Sequence, residues 1–329
     1  MNKKDMKKRV MIAIRFYCLL ILFTLLVTAS YTWFTISRTP RVSDMGITIS
    51  SVTGMELSHR LDDEDGWTQH LNLGETIEDM APLKPVTWVN SEQRFYAASF
   101  GTDGRITGID KVLSDDVNAN RNDADSYYMI SSFYARTGTD VNVSLAPATV
   151  SNDGIDGSGT YVIGTPMWNG ESVIHNNGGN GAEYTVRVGI RITKLDESGN
   201  EKADSVQFYV YEPNYDGYSG GIREPVETPS ITGDVMLVPE EQMIRQTTST
   251  WTEAYPVQRD VQIKELGEFL TDTHLFELRH DEFARIDLYF WMEGQDIDCN
   301  YMIGEDAKIL ANIQFLAEDK GNSGLEQFR

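Results

Sequence analysis

Cross-linking residues are scarce: only two of the 329 residues are cysteines, Cys18 and Cys299. Cys18 lies inside an apolar run near the N-terminus, and Cys299 lies close to the C-terminus. A membrane or a proteolytic cut would keep the two thiols apart, so the fold is not a disulfide scaffold. Cys18 lacks the small preceding residues of a lipoprotein cysteine, and we expect Cys299 to be a small buried apolar residue.

Histidine is also scarce, with five in the chain, which leaves little material for a histidine-based metal or nucleophile site. The sequence contains neither a His-Glu-x-x-His nor a Gly-x-Ser-x-Gly motif. His274, Glu277 and His280 come nearest to a metal-binding set, yet on a strand Glu277 would face away from both histidines. The sequence therefore predicts no enzyme, and a secreted metallopeptidase is the least favoured function.

Positive charge is limited to 28 Lys and Arg residues against 50 Asp and Glu, which gives a formal net charge of −22. This balance repels a phosphate backbone, so nucleic acid is excluded as a partner. An acidic exterior keeps an exported domain soluble.

Long hydrophobic runs are absent except at the N-terminus, where Phe16 to Ser37 carries no charge. Six basic residues precede that run, and five of them cluster at the start of the chain: Lys3, Lys4, Lys7, Lys8 and Arg9. A basic flank followed by an apolar segment predicts an export signal or membrane-anchor helix over residues 1–37, in contact with the membrane through residues 10–34. Basic residues stay inside, so we expect the C-terminal bulk outside the cytoplasm. The arrangement predicts a membrane-proximal surface protein.

Two fates of this segment are open. The strictly apolar part is short and runs into small residues, which predicts cleavage between Ala29 and Ser30 and secretion of the rest. The segment continues, however, through Tyr31, Thr32, Trp33 and Phe34. Aromatic side chains favour the membrane interface, which indicates an uncut anchor at the cell surface.

Alternating apolar residues dominate the rest of the chain. The pattern is strict in Glu183 to Ile192, Arg285 to Glu293 and Ala307 to Phe315, which predicts half-buried strands. Further predicted strands are Ile47 to Val52, Phe95 to Phe100, Ser126 to Ala135, Val141 to Leu145, Val206 to Tyr211, Asp234 to Val238 and Thr273 to Leu278.

Segments rich in Gly, Asn, Asp and Pro separate these strands and predict loops, for example Asn169 to Gly181. Short helices are expected at Glu240 to Gln246 and Ile263 to Leu270. The whole pattern predicts a mainly β protein, a two-sheet antiparallel β-sandwich of jelly-roll type preceded by one N-terminal hydrophobic helix. The sandwich is expected over residues 38–318, with a polar tail over 319–329.

Clusters of acidic residues offer the best candidate binding sites. Glu293, Asp296 and Asp298 follow a predicted strand and enter a turn, where carboxylates could converge on calcium. Two other oxygen-rich stretches are Asp62 to Asp65 and Asp115 to Asp125. A role in capping turns or a solvated surface is the alternative for each stretch. No cofactor other than calcium is indicated.

Two parts of the sequence resemble known proteins. The run from Arg285 to Cys299, followed by Ala311 to Phe315, looks like the closing hairpin of exported proteins common in Clostridia-like bacteria. The junction from Ala29 to Phe34 resembles the export segment of the TasA and camelysin matrix-fibre proteins. This resemblance implies a jelly-roll subunit of the cell surface or matrix, whose new N-terminal strand inserts into a neighbouring subunit. Tyr31, Thr32, Trp33 and Phe34 would belong to that strand.

Two non-enzymatic functions follow. The first is a cell-surface or extracellular-matrix structural protein, which self-associates by adding a strand to an exposed sheet edge. The alternative is an extracytoplasmic module that binds carbohydrate or peptide through the loop aromatics Trp168, Tyr215 and Tyr218.

Overall fold

The structure is a computed structural model that describes much of the chain in separate stretches. These are residues 11, 14–24, 42–52, 54–62, 65–72, 83–100, 106–121, 126–147, 149–150, 157–164, 167–168, 173–174, 182–215, 238–251, 263–265, 267–296, 298–299 and 307–320.

Helix is confined to short elements in these stretches. The first helix, α1, covers residues 14–24, and α2 covers Asp115–Asn118. Turns of 3-10 helix cover Ala182–Tyr184 and Glu240–Gln242. The side chains of α1 are exposed, including those of Phe16, Leu19 and Phe23. Within the described residues, no helix combines the length and the apolar character that a membrane crossing requires.

Strands make up most of the described chain. The first ten are β1 (Val42–Val52), β2 (Met55–Ser58), β3 (His70–Asn72), β4 (Val86–Val89), β5 (Arg94–Phe100), β6 (Ile106–Val112), β7 (Met129–Thr137), β8 (Val141–Leu145), β9 (Thr149–Val150) and β10 (Gly157–Ser158). The remainder are β11 (Tyr161–Gly164), β12 (Met167–Trp168), β13 (Val173–Ile174), β14 (Val186–Leu195), β15 (Gln207–Glu212), β16 (Met243–Arg245), β17 (Thr250–Trp251), β18 (Ile263–Glu265), β19 (His274–Leu278), β20 (Phe283–Met292) and β21 (Ala307–Asp319).

The first large sheet is organised around β21 and has the order β19-β8-β21-β1-β3. Along one edge of β21 runs β1, parallel to it, with Ile47 opposite Ala311. Its other edge pairs antiparallel with β11 and then with β8, where Phe315 lies opposite Leu145.

The second large sheet has the order β16-β15-β14-β20-β7-β2. Its centre is the long antiparallel pair of β14 and β20, in register from Val186 opposite Met292 to Leu195 opposite Phe283. Only β15 and β16 run parallel to one another in this sheet.

The two sheets bury their facing side chains in one apolar core. From the second sheet come Val188 and Ile190 of β14 and Ile286, Leu288 and Phe290 of β20, all fully buried. They pack with residues of the first sheet, and the rings of Phe133 and Phe315 meet across the core with centroids 6.0 Å apart. The mainly β, two-sheet fold is thus confirmed. Each sheet holds one parallel pair, so the sheets are mixed instead of purely antiparallel.

The chain closes both sides of the second sheet by passing from one sheet to the other. Leu57 of β2 exchanges two backbone hydrogen bonds with Thr68, and the same segment then becomes β3 of the first sheet. On the opposite side, Leu270 N–H donates to Arg245 C=O of β16 before the chain enters β19. Segments that switch sheets form the corners of such a sandwich, and here they cover both edges of the second sheet.

A three-stranded sheet, β4-β5-β6, packs on the outer face of the second sheet. Trp88 of β4 stacks on Phe208 at 4.5 Å, and Phe95 of β5 meets Trp291 edge-on at 5.1 Å. Gly189 lies under these rings, where a Cβ would come within 2.9 Å of Phe208. The prediction that β20 is half-buried was therefore wrong, because its second face is covered by this layer.

The two predicted helices in the C-terminal third were also wrong within the described residues. Glu240–Gln242 forms only a 3-10 turn, and β16 follows because Ile244 enters the core and pairs with β15. Ile263–Glu265 is the strand β18, and Phe269 forms an isolated bridge with Gln246. Sheet pairing overrides local helix preference at both places. Most of the strand predicted at 234–238 lies outside the described residues.

A buried polar seam joins the two sheets beside β15. Tyr211 Oη donates to Gln246 Oε1, and Gln246 Nε2 donates to the carbonyls of Thr160 (2.8 Å) and Gly267 (2.9 Å). Thr160 Oγ1 in turn donates to Gln314 C=O in β21 at 3.1 Å. Gln246 has no exposed surface, so its hydrogen bonds have no water to replace them.

Replacing Gln246 by leucine should therefore weaken the fold. Tyr211 Oη and two carbonyls would lose their partner inside the core, at a cost of about 1–3 kcal/mol for each group left unsatisfied. We expect the free energy of unfolding in urea to fall by about 3 kcal/mol, lowering the denaturation midpoint at an unchanged slope. Gln207→Leu, at an exposed position of β15, is the control and should change stability by less than about 0.5 kcal/mol. Equal effects of the two variants would contradict this account.

Candidate functional site

One end of the second sheet carries a row of charged side chains on its outer face. Arg187 lies opposite Trp291 of β20, while Glu212 ends β15 and lies beside Arg245 of β16. Alternation along β14 places Arg187 on the face away from Val186 and Val188, which point into the core. Register alone therefore brings Arg187, Glu212 and Arg245 into line across three neighbouring strands.

Arg187 is held by two buried carboxylates. Its Nη2 contacts Glu212 Oε1 and lies 2.7 Å from Asp296 Oδ2, and the three side chains are 8%, 6% and 0% exposed. Its Nη1 donates to the Val186 carbonyl at 3.1 Å. Burial opposes the charged form, but the carboxylates of Glu212 and Asp296 outweigh it and raise the pKa of Arg187. The guanidinium is therefore permanently charged.

Arg245 extends the same network toward the surface. Its Nε lies 3.2 Å from Glu212 Oε2, and its Nη1 contacts the exposed Glu240. The guanidinium also lies over the Tyr215 ring, 4.7 Å from the centroid. Glu212 thus bridges two arginines, which gives the row alternating charge.

Glu293 lies next to this row and accepts several hydrogen bonds. Thr87 Oγ1 donates to Oε1, Trp291 Nε1 donates to Oε2 at 3.0 Å, and Gln295 N–H donates to Oε1 at 3.0 Å. Gln295 Nε2 also donates to Thr87 Oγ1 at 2.7 Å. Burial raises the pKa of Glu293 above its ordinary value of 4.5, although these hydrogen bonds and Arg187 oppose the shift. The carboxyl ties the three-stranded layer to the turn after β20.

The structure brings together the three acids predicted to bind calcium. Asp296 Oδ1 accepts the Asp298 backbone N–H at 2.9 Å, and Asp296 N–H donates to the Glu293 carbonyl at 3.1 Å. These contacts match the alternative of a capped turn, because Glu293 and Asp296 bind protein donors. Among the described residues, no group of three His, Cys, Asp or Glu side chains is arranged to hold a metal ion. Calcium binding by Glu293, Asp296 and Asp298 stays a prediction, without support from this geometry.

Cys299 closes the same turn, its N–H donating to the Asp296 carbonyl at 2.9 Å. It is buried, as expected for a small apolar residue. Burial, reinforced by Asp296 and Glu293, raises the pKa of the thiol well above its ordinary range. The group is protonated at neutral pH and is a poor nucleophile.

Other candidates from the sequence lie elsewhere. Asp62 pairs with Arg60 at 2.9 Å on the surface, and Asp115 accepts the Tyr128 hydroxyl at 2.6 Å. Tyr215, a candidate binding aromatic, is covered on one face by Arg245. The remaining candidates lie outside what the structure describes: Ala29, Ser30, Tyr31, Thr32, Trp33, Phe34, Tyr218 and the side chain of Trp168.

Arg187, Glu212 and Arg245 were missed from the sequence. Arg187 occupies the polar side of an alternating strand, which normally faces water, and nothing in the local pattern shows that the side chain is buried. The useful signal was the row of opposite charges on neighbouring strands, which becomes visible only when the register is known.

Comparison with protein-family models, curated proteins and solved structures finds no match to this chain. The resemblance to surface and matrix-fibre proteins therefore stays a prediction.

Replacing Arg187 by methionine tests whether its ion pairs with Glu212 and Asp296 stabilise the fold. Glu212 would keep its ion pair with Arg245, but Asp296 would lose the buried guanidinium of Arg187. Removing one partner of a buried ion pair lowers the free energy of unfolding by about 3–5 kcal/mol. We expect urea denaturation to show a loss of this size. Arg60→Met, which removes a cation from an exposed pair, should cost about 1 kcal/mol at most. A loss no larger than that of Arg60→Met would contradict the role assigned to Arg187.

The raised pKa of Glu293 predicts a pH dependence with a definite sign. A carboxyl that binds its proton more tightly in the folded state makes folding less favourable as pH rises from 4.5 through the raised pKa. Glu293→Gln lacks this titration, so its stability relative to the wild type should increase over that range. Urea denaturation of both proteins at pH 4, 5.5 and 7 measures the difference. A difference that is constant or falls with pH would contradict the assignment.

Proposed function

We propose that this chain is a non-enzymatic structural protein of the cell surface or extracellular matrix. The observation that carries the proposal is how the buried charges of the candidate site are used. Arg187, Glu212, Asp296 and Arg245 neutralise one another, while Glu293 binds Thr87 and Trp291. Groups committed in this way hold strands and turns in register, which is the task of a structural subunit.

The proposed location outside the cytoplasm is supported by α1. Apolar side chains are exposed around it, among them Ile14, Leu20 and Phe23, as expected of the short apolar centre of an export segment. The hydroxyl of Thr24 donates to the carbonyls of Leu20 (3.0 Å) and Ile21 (2.9 Å), which satisfies it inside the helix. With the basic residues before it, this helix supports export of the sandwich, either anchored or released by cleavage after Ala29.

Assembly by strand addition needs a sheet edge that is open to another chain. Both edges of the second sheet are covered by segments of the same chain. Strand β6 (Ile106–Val112) lies at the end of the three-stranded sheet. Its one neighbour among the described strands is β5. Leu113 N–H bonds to the Phe95 carbonyl, so alternation directs the N–H of Val112 away from β5. This edge of β6 is the acceptor we propose for a strand that includes Tyr31 to Phe34.

The proposal is tested with the full chain expressed in a Gram-positive host. We expect protease added to intact cells to digest the sandwich, and electron microscopy of the surface fraction to show fibres. Mass spectrometry of the N-terminus distinguishes release at Ser30 from an anchor that begins at Met1. Sandwich protected inside intact cells would contradict export, and specific retention of a persistent monomer on glycans would favour the binding-module alternative.

Two substitutions at one position test the acceptor edge. Val112→Pro removes the outward N–H and should abolish fibres while the fold is kept, as judged by circular dichroism. Val112→Thr retains that N–H and should leave fibres intact. Fibres that form equally with both variants would exclude β6 as the acceptor.

A further inference from the structure

Two connections between the large sheets lie side by side at one end of the sandwich. Residues 138–140 lead from β7 to β8, and residues 279–282 lead from β19 to β20. Asp140 Oδ1 accepts the backbone N–H of His280 at 3.0 Å and lies 2.9 Å from His280 Nδ1. The Asp140 carbonyl also accepts the N–H of Lys320, which follows β21, at 3.1 Å. One residue therefore joins three segments that are distant in sequence.

We propose that the contact between Asp140 and His280 is a pH-sensitive latch on these two connections. It holds them together while the imidazole is protonated and loosens when the imidazole becomes neutral. Only the charged imidazole makes both a hydrogen bond and an ion pair with the carboxylate. A neutral ring keeps the hydrogen bond solely in the tautomer with its proton on Nδ1.

The surroundings of His280 favour the charged ring. The hydrogen bond and charge of Asp140 raise the pKa of His280, and Asp281 on the same turn and Glu197 on the β14–β15 turn add to the shift. Two cations also belong to this region, Arg279 on the same turn and Lys320 after β21. The Nζ of Lys320 lies 2.5 Å from Glu277 Oε2 of β19. The contact with His280 in turn lowers the pKa of Asp140.

These shifts define the pH range in which the latch is closed. His280 has a raised folded pKa, so its contribution is complete below its ordinary pKa of 6.5 and is lost as pH rises through the raised value. Asp140 has a lowered folded pKa, so its contribution is present above 3.8 and is lost as pH falls through the lowered value. The latch is closed in mildly acidic solution and loosens as pH rises through the raised pKa of His280.

The predicted effect is local, since both side chains are largely exposed. Exposed ion pairs correspond to roughly a two- to fivefold change in an equilibrium constant. The equilibrium constant that changes is the one for local opening of the two connections. The core of the sandwich is unaffected.

Hydrogen exchange of the full chain in a mild detergent tests this directly. After correction for the intrinsic pH dependence of exchange, amides at 138–141 and 279–282 should be roughly two- to fivefold better protected at pH 5.5 than at pH 8.5. His280→Gln and Asp140→Asn should each abolish that difference. His59→Gln, which removes an exposed histidine from another turn, should leave it unchanged.

A titration of the His280 ring by NMR completes the test. Its midpoint should lie above that of His280 in the Asp140→Asn variant. The latch is excluded if the two midpoints coincide, or if His280→Gln keeps the pH-dependent protection of the wild type. Because only local exchange is read out, the result is independent of export or fibre formation.

Discussion

Strand β20 is buried on both faces, and much of the architecture depends on that double burial. Ile286, Leu288 and Phe290 fill the core between the large sheets, while Tyr289 and Trp291 lie under the three-stranded layer. A strand enclosed in this way tolerates no slip in register, because a shift by one residue would exchange its two sets of side chains. The positions of β14 and β7, which flank β20, are fixed by the same constraint.

The ion pairs of Arg187 follow from burial at the end of the same sheet. Arg187 is almost fully buried there, so its charge must be balanced within the protein. Glu212 from the neighbouring strand and Asp296 from the turn after β20 provide that balance. Because the partners come from separate segments, the pairs form only when β14, β15 and the turn are in their native register. The network therefore links the choice of register to the burial of charge.

Much of the strand framework was accessible from the sequence. Val141–Leu145 has the predicted bounds, and the strands predicted near 95–100, 274–278 and 307–315 are present. The misses share one cause. The three residues of β16 have no clear period of their own, and β4 is buried at every position. Such strands exist because neighbours supply their hydrogen bonds and cover their faces. A pattern within one segment cannot show this.

For the candidate site, the sequence located Glu293, Asp296 and Asp298 in a turn but did not identify their partners. Those partners are up to 206 residues away, as with Thr87 and Glu293, and no local spacing relates them. By itself the sequence determined the scarcity of cysteine and histidine, the acidic balance, the apolar N-terminal run and the alternation that makes the protein mainly β. The tertiary structure alone decided which polar faces are covered, because burial depends on layers that come from distant parts of the chain.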